Sequence, residues 1–252
     1  MNLLEFYGIP HKSSGDNAET QCLSCGSNSL SISTTGNNVF QCWKCKQEGN
    51  AYTLIRMLYD SLPDITFPEA KTLSQKKKGI PPVAFKLAGI KLMRGNYMIP
   101  VYGHKGNLLS LHKYNPANNI VYSPPKPVTC TVLGMQHMKG TEDLFVCEGH
   151  WDYLCLTAQM SKVKDHPDII GTCGSSFAST YMTLLEDKNV YLLFDNDEAG
   201  MNGVTYLARR MKSSGVQCAS LQYLDWDTVT LPNHTTVPDK FDIRDLVNAL
   251  HT

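Results

Sequence analysis

The sequence contains no run of about 18 apolar residues and no charged start leading into an apolar targeting stretch. These absences leave a cytoplasmic location as the expectation and give no reason to look for a membrane partner. There is no internal repeat, no low-complexity tract and no GxxxxGK[ST], so the 252 residues carry no P-loop motor. A disulfide framework is missing too. Of nine cysteines, four stand in two CxxC pairs, and Cys130, Cys147, Cys155, Cys173 and Cys218 are scattered singly. That pattern belongs to metal binding in a reducing compartment. Net charge is absent as well, since 23 basic residues meet 23 acidic ones, while a 42% hydrophobic content suffices for a core in two domains or in one domain plus a small module.

The zero net charge conceals an asymmetry. Residues 1–60 carry 4 basic and 5 acidic side chains, residues 61–145 carry 11 and 4, and residues 146–252 carry 8 and 14. A basic middle beside an acidic last third suggests an anionic polymer held on one side and cations gathered on the other.

Local patterns divide the chain further. Ala51, Leu54, Ile55 and Leu58 fall at i, i+3, i+4 and i+7, a short amphipathic helix closing a cysteine-bearing module over 1–60. Four prolines and Lys76-Lys77-Lys78 in LPDITFPEAKTLSQKKKGIPP predict an irregular linker over 61–82. Tyr97–Tyr102 and Asn107–Tyr114, separated by Gly103-His104-Lys105-Gly106, predict a hairpin inside a basic α+β subdomain over 83–142. From 143 to 252 short apolar runs alternate with helical spacing. LFVC, DIIG, VYLLF and Gln217–Tyr223 read as strands, with helices predicted on Trp151–Ala158, around Ser176–Glu186 and on Val204–Met211. This is the βαβ signature of an α/β fold with a mostly parallel sheet and flanking helices.

Cys22, Cys25, Cys42 and Cys45 form CxxC…CxxC with 16 residues between the pairs, a spacing that suits a tetrahedral structural Zn²⁺ in a small β-rich ribbon. His11 lies outside that spacing. Phe40, Trp43, Lys44, Lys46 and Tyr52 suit stacking and phosphate contacts with single-stranded nucleic acid, or else the module's own core. In VCEGHWDYL, Glu148 follows a strand and Asp152 enters the first turn of a helix, where the helix dipole alone favours an acid. Ligands of such sheets sit beyond the carboxyl ends of the strands. VYLLFDNDEAG repeats the arrangement with Asp195 and Asp197, one residue apart and without a basic neighbour. Two carboxylates so placed repel each other unless a divalent cation joins them. An EF-hand loop matches Asp195, Asp197 and Gly200 but fails at Ala199 and Tyr206. Asp242 and Asp245 in FDIRDLV form another acidic pair, either a surface turn or part of the same edge.

Taken together, EGxxD, DxDxAG and a later DxxD resemble the Toprim fold of DnaG-type primases, topoisomerases and some nucleases. CLSCGSNSLSISTTGNNVFQCWKCKQEGNAYTLIRML is similar to the zinc ribbon of bacterial and phage primases, and RGNYMIPVYGHKGNLLSLHKY to the basic block that precedes Toprim in them. Four cysteines place the likeness nearer the phage proteins. The resemblance implies template-directed synthesis of short RNA primers on single-stranded DNA from ribonucleoside triphosphates. It further implies Mg²⁺ or Mn²⁺ on Glu148, Asp195 and Asp197, with Asp152, Asp242 and Asp245 as further candidates. Lys86, Lys91, Arg94, Lys105 and Lys113 would meet template or nucleotide phosphates, and Trp43 and Lys44 the template. A helicase would be a separate partner or part of a longer chain. Two rival readings stay open: a Toprim nuclease or topoisomerase-like enzyme, and a non-catalytic single-strand-binding replication adaptor.

Overall fold

A computed structural model describes residues 2–130, 132–173, 179–232 and 235–250. The chain divides into two compact units, one of residues 1–64, 89–101 and 107–130 and one of residues 65–88, 102–106 and 131–252.

In the first unit a short helix α1 (Leu3–Phe6), capped reciprocally by Asn2 and Glu5, precedes an antiparallel five-stranded sheet, β1 (His11–Ser14), β2 (Asn17–Thr20), β3 (Leu30–Ser33), β4 (Phe40–Cys42) and β5 (Glu48–Gly49). Helix α2 (Ala51–Ser61) starts where the Asn50 side chain accepts from the amides of Tyr52 and Thr53. The second sheet of this unit runs β6 (Lys91–Met93), β7 (Asn96–Tyr102), β8 (Leu108–Asn115) and β9 (Ile120–Tyr122), which contains the expected hairpin with one strand added on each side. Leu30, Ile32 and Phe40 of the ribbon, Leu54, Ile55 and Leu58 of α2, and Met98 and Leu111 of the hairpin share one core. Burial of Phe40 settles its part as core rather than stacking surface. The module and the basic block, read from sequence as separate bodies, thus bury their apolar faces together.

The second unit opens with α3 (Phe67–Lys76) and α4 (Pro82–Leu87), inside and just past the stretch expected to be an irregular linker. Thr66 and Glu69 make a reciprocal capping box, Pro68 sits in the first turn where its missing N–H costs nothing, and Ala70 and Leu73 are buried. Prolines here start helices instead of interrupting them, which is why their number misleads.

The remaining strands, β10 (Val132–Leu133), β11 (Asp143–Glu148), β12 (Asp168–Thr172), β13 (Asn189–Leu193) and β14 (Ser220–Tyr223), lie in the order β10-β12-β11-β13-β14. All but β10 are parallel to their neighbours, as the alternating pattern predicts. Helices α5 (Gly149–Met160), α6 (Glu198–Ser214) and α7 (Ile243–Leu250) follow β11, β13 and β14 in sequence. The segment predicted as a helix around 176–186 is a 3-10 helix over Ser179–Leu185. Residues 174–178, which include the expected start of that helix and most of GTCGSSF after the DIIG strand, lie outside the described residues. Among the described residues, no helix is long and apolar enough to cross a membrane.

Candidate active site

Parallel pairing of β11 with β13 places Cys147 opposite Leu193, so both strands finish at one edge of the sheet. Glu148 is the last residue of β11 and the first flank of α5. The next residue, Gly149, has φ +89°, a left-handed conformation that lets the chain turn sharply into the helix. Past β13, the Asp197 amide donates to the Asp195 carbonyl at 2.9 Å, and the Asp197 carboxylate caps α6 by accepting from the Gly200 amide at 2.8 Å. The Asn196 amide donates to the Phe241 carbonyl and Lys240 donates back to Asn196, at 2.8 and 2.7 Å. Trp226 braces this junction, donating from its indole to the Phe194 carbonyl at 2.8 Å and packing edge-on against Phe241. The ladder carries the chain into Asp242, so FDIRDLV meets the sheet edge through backbone bonds to the DND turn.

Glu148 and Asp195 are held where ionisation is disfavoured. Burial raises the Glu148 pKa, the charge of Asp197 raises it further, and the Asp195 N–H works against both. Its Oε2 is buried with no hydrogen-bond donor among the described residues. Burial, then the charges of Asp152, Glu148, Asp242 and Asp197, push the Asp195 carboxyl up to about 8. Like charges crowded against an unpartnered carboxylate oxygen form a hard-oxygen set suited to Mg²⁺ or Mn²⁺. Among the described residues, no three of these carboxylates bring oxygens within 4.8 Å of one another.

Asp152, Asp242 and Asp245 have other partners. The Arg244 Nε donates to Asp152 Oδ1 at 3.2 Å, and its second terminal nitrogen pairs with Asp242 Oδ2. Asp242 Oδ1 accepts from the Asp245 amide at 2.9 Å, and the Asp245 carboxylate accepts from the Asp242 amide at 3.4 Å, a reciprocal pair that starts α7. Burial carries the Asp152 pKa to about 6 even though Arg244 opposes the shift. Lys77 also belongs here. It is 4% exposed, its ammonium lies 4.8 Å from the Trp151 ring centroid, and burial followed by repulsion from Arg244 lowers its pKa to about 8. Neither Arg244 nor Lys77 stands out in the sequence as a site residue. The signal for Arg244 was its place between two acids at a helix start, and Lys77 was hidden inside the supposed linker.

The four cysteines do converge. Their sulfurs all lie within 4.8 Å of one another, with Cys22 to Cys45 at 3.8 Å and Cys25 to Cys42 at 3.7 Å. A tetrahedron with metal–sulfur bonds of about 2.3 Å has edges of about 3.8 Å, so the set fits zinc. Two matching turns build it: the Cys22 amide donates to the Ser27 carbonyl and Gly26 to Cys22, just as Cys42 donates to Gln47 and Lys46 to Cys42. The Cys45 amide helps hold the Cys42 thiol down to about 6, the state a metal ligand needs. His11 stays outside this cluster, with its Nδ1 2.9 Å from the Ile9 carbonyl.

The basic residues divide into two groups. Lys113 donates to the Phe6 carbonyl at 2.7 Å beneath the Phe6 ring, Lys91 donates to Leu62 at 3.1 Å, and Arg94 donates to the Gly8 carbonyl. These three, expected on phosphates, tie the first unit to itself. Lys44, Lys86 and Lys105 are exposed, and so is Trp43 at 62%, with the Lys46 ammonium 5.9 Å from its ring centroid. Tyr52 is partly exposed and donates to the Pro127 carbonyl at 3.0 Å.

Residues 145–230 match the family described as Toprim-like. No curated protein matches the sequence at a significant level. Among solved structures, the zinc-binding and RNA polymerase domains of the Aquifex aeolicus primase are similar with a TM-score of 0.53 at 14% identity, covering 98% of this chain and 80% of that one. The primase fragment of the bacteriophage T7 primase-helicase gives 0.52 at 17%, covering 92% and 95%. The DnaG primase catalytic domain bound to single-stranded DNA gives 0.57 at 15%, covering 78% and 74%. The chain therefore carries a Toprim-like segment and a zinc-ribbon cysteine set within a fold shared with bacterial and phage primases.

Proposed function

We propose that this protein is a DNA primase, synthesising short RNA primers on single-stranded DNA from ribonucleoside triphosphates. The observation that carries the reading is the carboxyl edge of the Toprim-like sheet, where the unpartnered Glu148 oxygen stands beside an Asp195 carboxyl displaced to about 8. The reaction joins a 3′-oxygen to the α-phosphorus of the next nucleotide, breaks the bond to the β-phosphate and releases pyrophosphate. Glu148, Asp195 and Asp197 would hold Mg²⁺ or Mn²⁺, which when bound neutralises charge on the attacking and leaving oxygens. Asp195, whose carboxyl burial pushes up to about 8, would have to release its proton for the three carboxylates to hold a divalent cation. Asp197 stays fixed by its bond to Gly200, so one carboxylate of the set is preoriented by the start of α6.

Cys22, Cys25, Cys42 and Cys45 would hold structural zinc. Exposed Trp43 and Lys44 beside it offer a stacking face and a charge to template DNA, while Lys86 and Lys105 add long-range attraction for phosphates. Residues 143–252 act as the catalytic subdomain in this reading. A helicase acts as a separate partner or on a longer chain, and the work takes place in the cytoplasm.

The test is an incubation with single-stranded DNA templates of varied sequence, ribonucleotides and Mg²⁺, followed by resolution of labelled RNA. Short template-dependent products are expected; their absence across templates and with Mn²⁺ would sink the reading.

A further inference from the structure

Toprim-type acidic residues invite the assumption that Asp152 and Asp242 bind a second ion. We infer that Arg244 takes that role itself: its guanidinium clamps Asp152 and Asp242 as an internal cation and limits the carboxylate site to one divalent ion on Glu148, Asp195 and Asp197. The inference rests on the metal reading of those three residues given above.

The geometry accounts for both oxygens of Asp242. Oδ2 meets the guanidinium and Oδ1 accepts from the Asp245 amide. Asp152 Oδ1 meets Arg244 Nε at 3.2 Å, and the three side chains are only 7% (Asp152), 10% (Asp242) and 23% (Arg244) exposed, so water competes weakly for the pairing. Arg244 is anchored as well. A Cβ at Gly79 would lie 3.1 Å from the Arg244 carbonyl and 3.2 Å from Cys155 Sγ, so the turn between α3 and α4 is pressed against the start of α7 and the body of α5. Lys77 stands close enough to repel the guanidinium, so two cationic side chains already face the Asp152–Asp242 pair. Removing only the guanidinium would leave two buried carboxylates unpaired next to Asp195, whose charges already repel each other. A second divalent ion supplied in excess would pair them and displace the protons they would otherwise take up. Arg244 is therefore a positioning residue that sets metal stoichiometry through the two carboxylates it pairs.

The test counts bound Mn²⁺ by loss of the free-ion electron paramagnetic resonance signal during titration of the zinc-loaded full chain. Wild type is expected to bind one ion, Arg244→Lys one, and Arg244→Gln two. Asp242→Asn, which loses a clamp partner but no ligand, is expected to keep one ion, and this variant keeps the test usable if Arg244→Gln fails to fold. Two ions on wild type, one ion on a folded Arg244→Gln, or loss of binding in Asp242→Asn overturns the clamp. No ion on wild type overturns the metal reading beneath it, which separates the two failures.

Discussion

Gly200 stands so close to Asp195 that a Cβ on it would come within 2.2 Å of the Asp195 carbonyl oxygen and 3.0 Å of its amide nitrogen. The first turn of α6 thus lies directly on the backbone of a residue two positions past the end of β13, and the side-chain hydrogen at position 200 is what allows it. Gly200→Ala must push the DND turn away from the helix. Overpacking of this kind costs about 1–3 kcal/mol, so urea unfolding should show a loss in that range, and Mn²⁺ affinity should fall with it. An unchanged affinity would mean that the turn does not set the site.

Protonation of Asp195 predicts how stability follows pH. Its carboxyl titrates near 8 in the fold, against 3.8 for the ordinary group, so between these values the folded state binds more protons than the unfolded chain. The stabilising contribution is complete below the lower value and is lost as pH rises through the upper one. Asp152, raised to about 6, acts in the same direction over the lower part of that window. Urea midpoints without divalent ions should decline from about pH 5 to about pH 8.5, and Mg²⁺ should restore more at the upper end. Asp195→Asn should flatten the decline; a slope equal to that of wild type contradicts the assignment.

Primer synthesis offers a sharper comparison. Glu148→Gln and Asp195→Asn keep size and shape while removing charge, so turnover should fall by about a hundredfold or more with single-stranded DNA affinity within about twofold of wild type. Parallel losses in binding and synthesis would move these residues from chemistry to template contact.

Lys113→Met and Lys105→Met should behave differently. The Lys113 ammonium is spent on the Phe6 carbonyl, and its loss should cost about 1–3 kcal/mol of stability while leaving the salt dependence of DNA binding alone. Lys105 is exposed, so its removal should spare stability and lower the salt slope by about one ion. Fluorescence anisotropy over a salt series distinguishes the two.

Zinc dependence follows from the sulfur geometry. Cys42→Ser should reduce bound zinc from one per chain to near zero and impair template-dependent initiation more than nucleotide binding. Normal zinc content would break the four-sulfur assignment.

What could be read directly from the sequence followed strict rules of periodicity or spacing. The parallel strands announced themselves as short apolar runs, two of them followed directly by an acid, α2 by its i, i+3, i+4 pattern, and the cysteine set by its two CxxC turns. The missed features depend on long-range contact. Thr66 and Glu69 cap a helix in a stretch whose prolines suggested none, Lys113 finds its partner 107 residues away, and Arg244 reaches Asp152 across 92. Nor does a run such as DIRD reveal whether its acids look outward to an ion or inward to an arginine, because both arrangements satisfy the same local pattern.

The twin turns of the ribbon are alike in hydrogen bonding but not in what they present. Both bend through a left-handed residue, Gly26 in one and Lys46 in the other, at φ +72° and +63°. A glycine reaches that conformation freely, whereas lysine enters it at a cost of about 1 kcal/mol or more. The second turn accepts that cost and gains a cation beside an exposed indole; the first leaves its corresponding corner bare. A near-symmetric sulfur cage is thereby given a front and a back, and a strand of bases passing over it would meet aromatic and charge from one direction only.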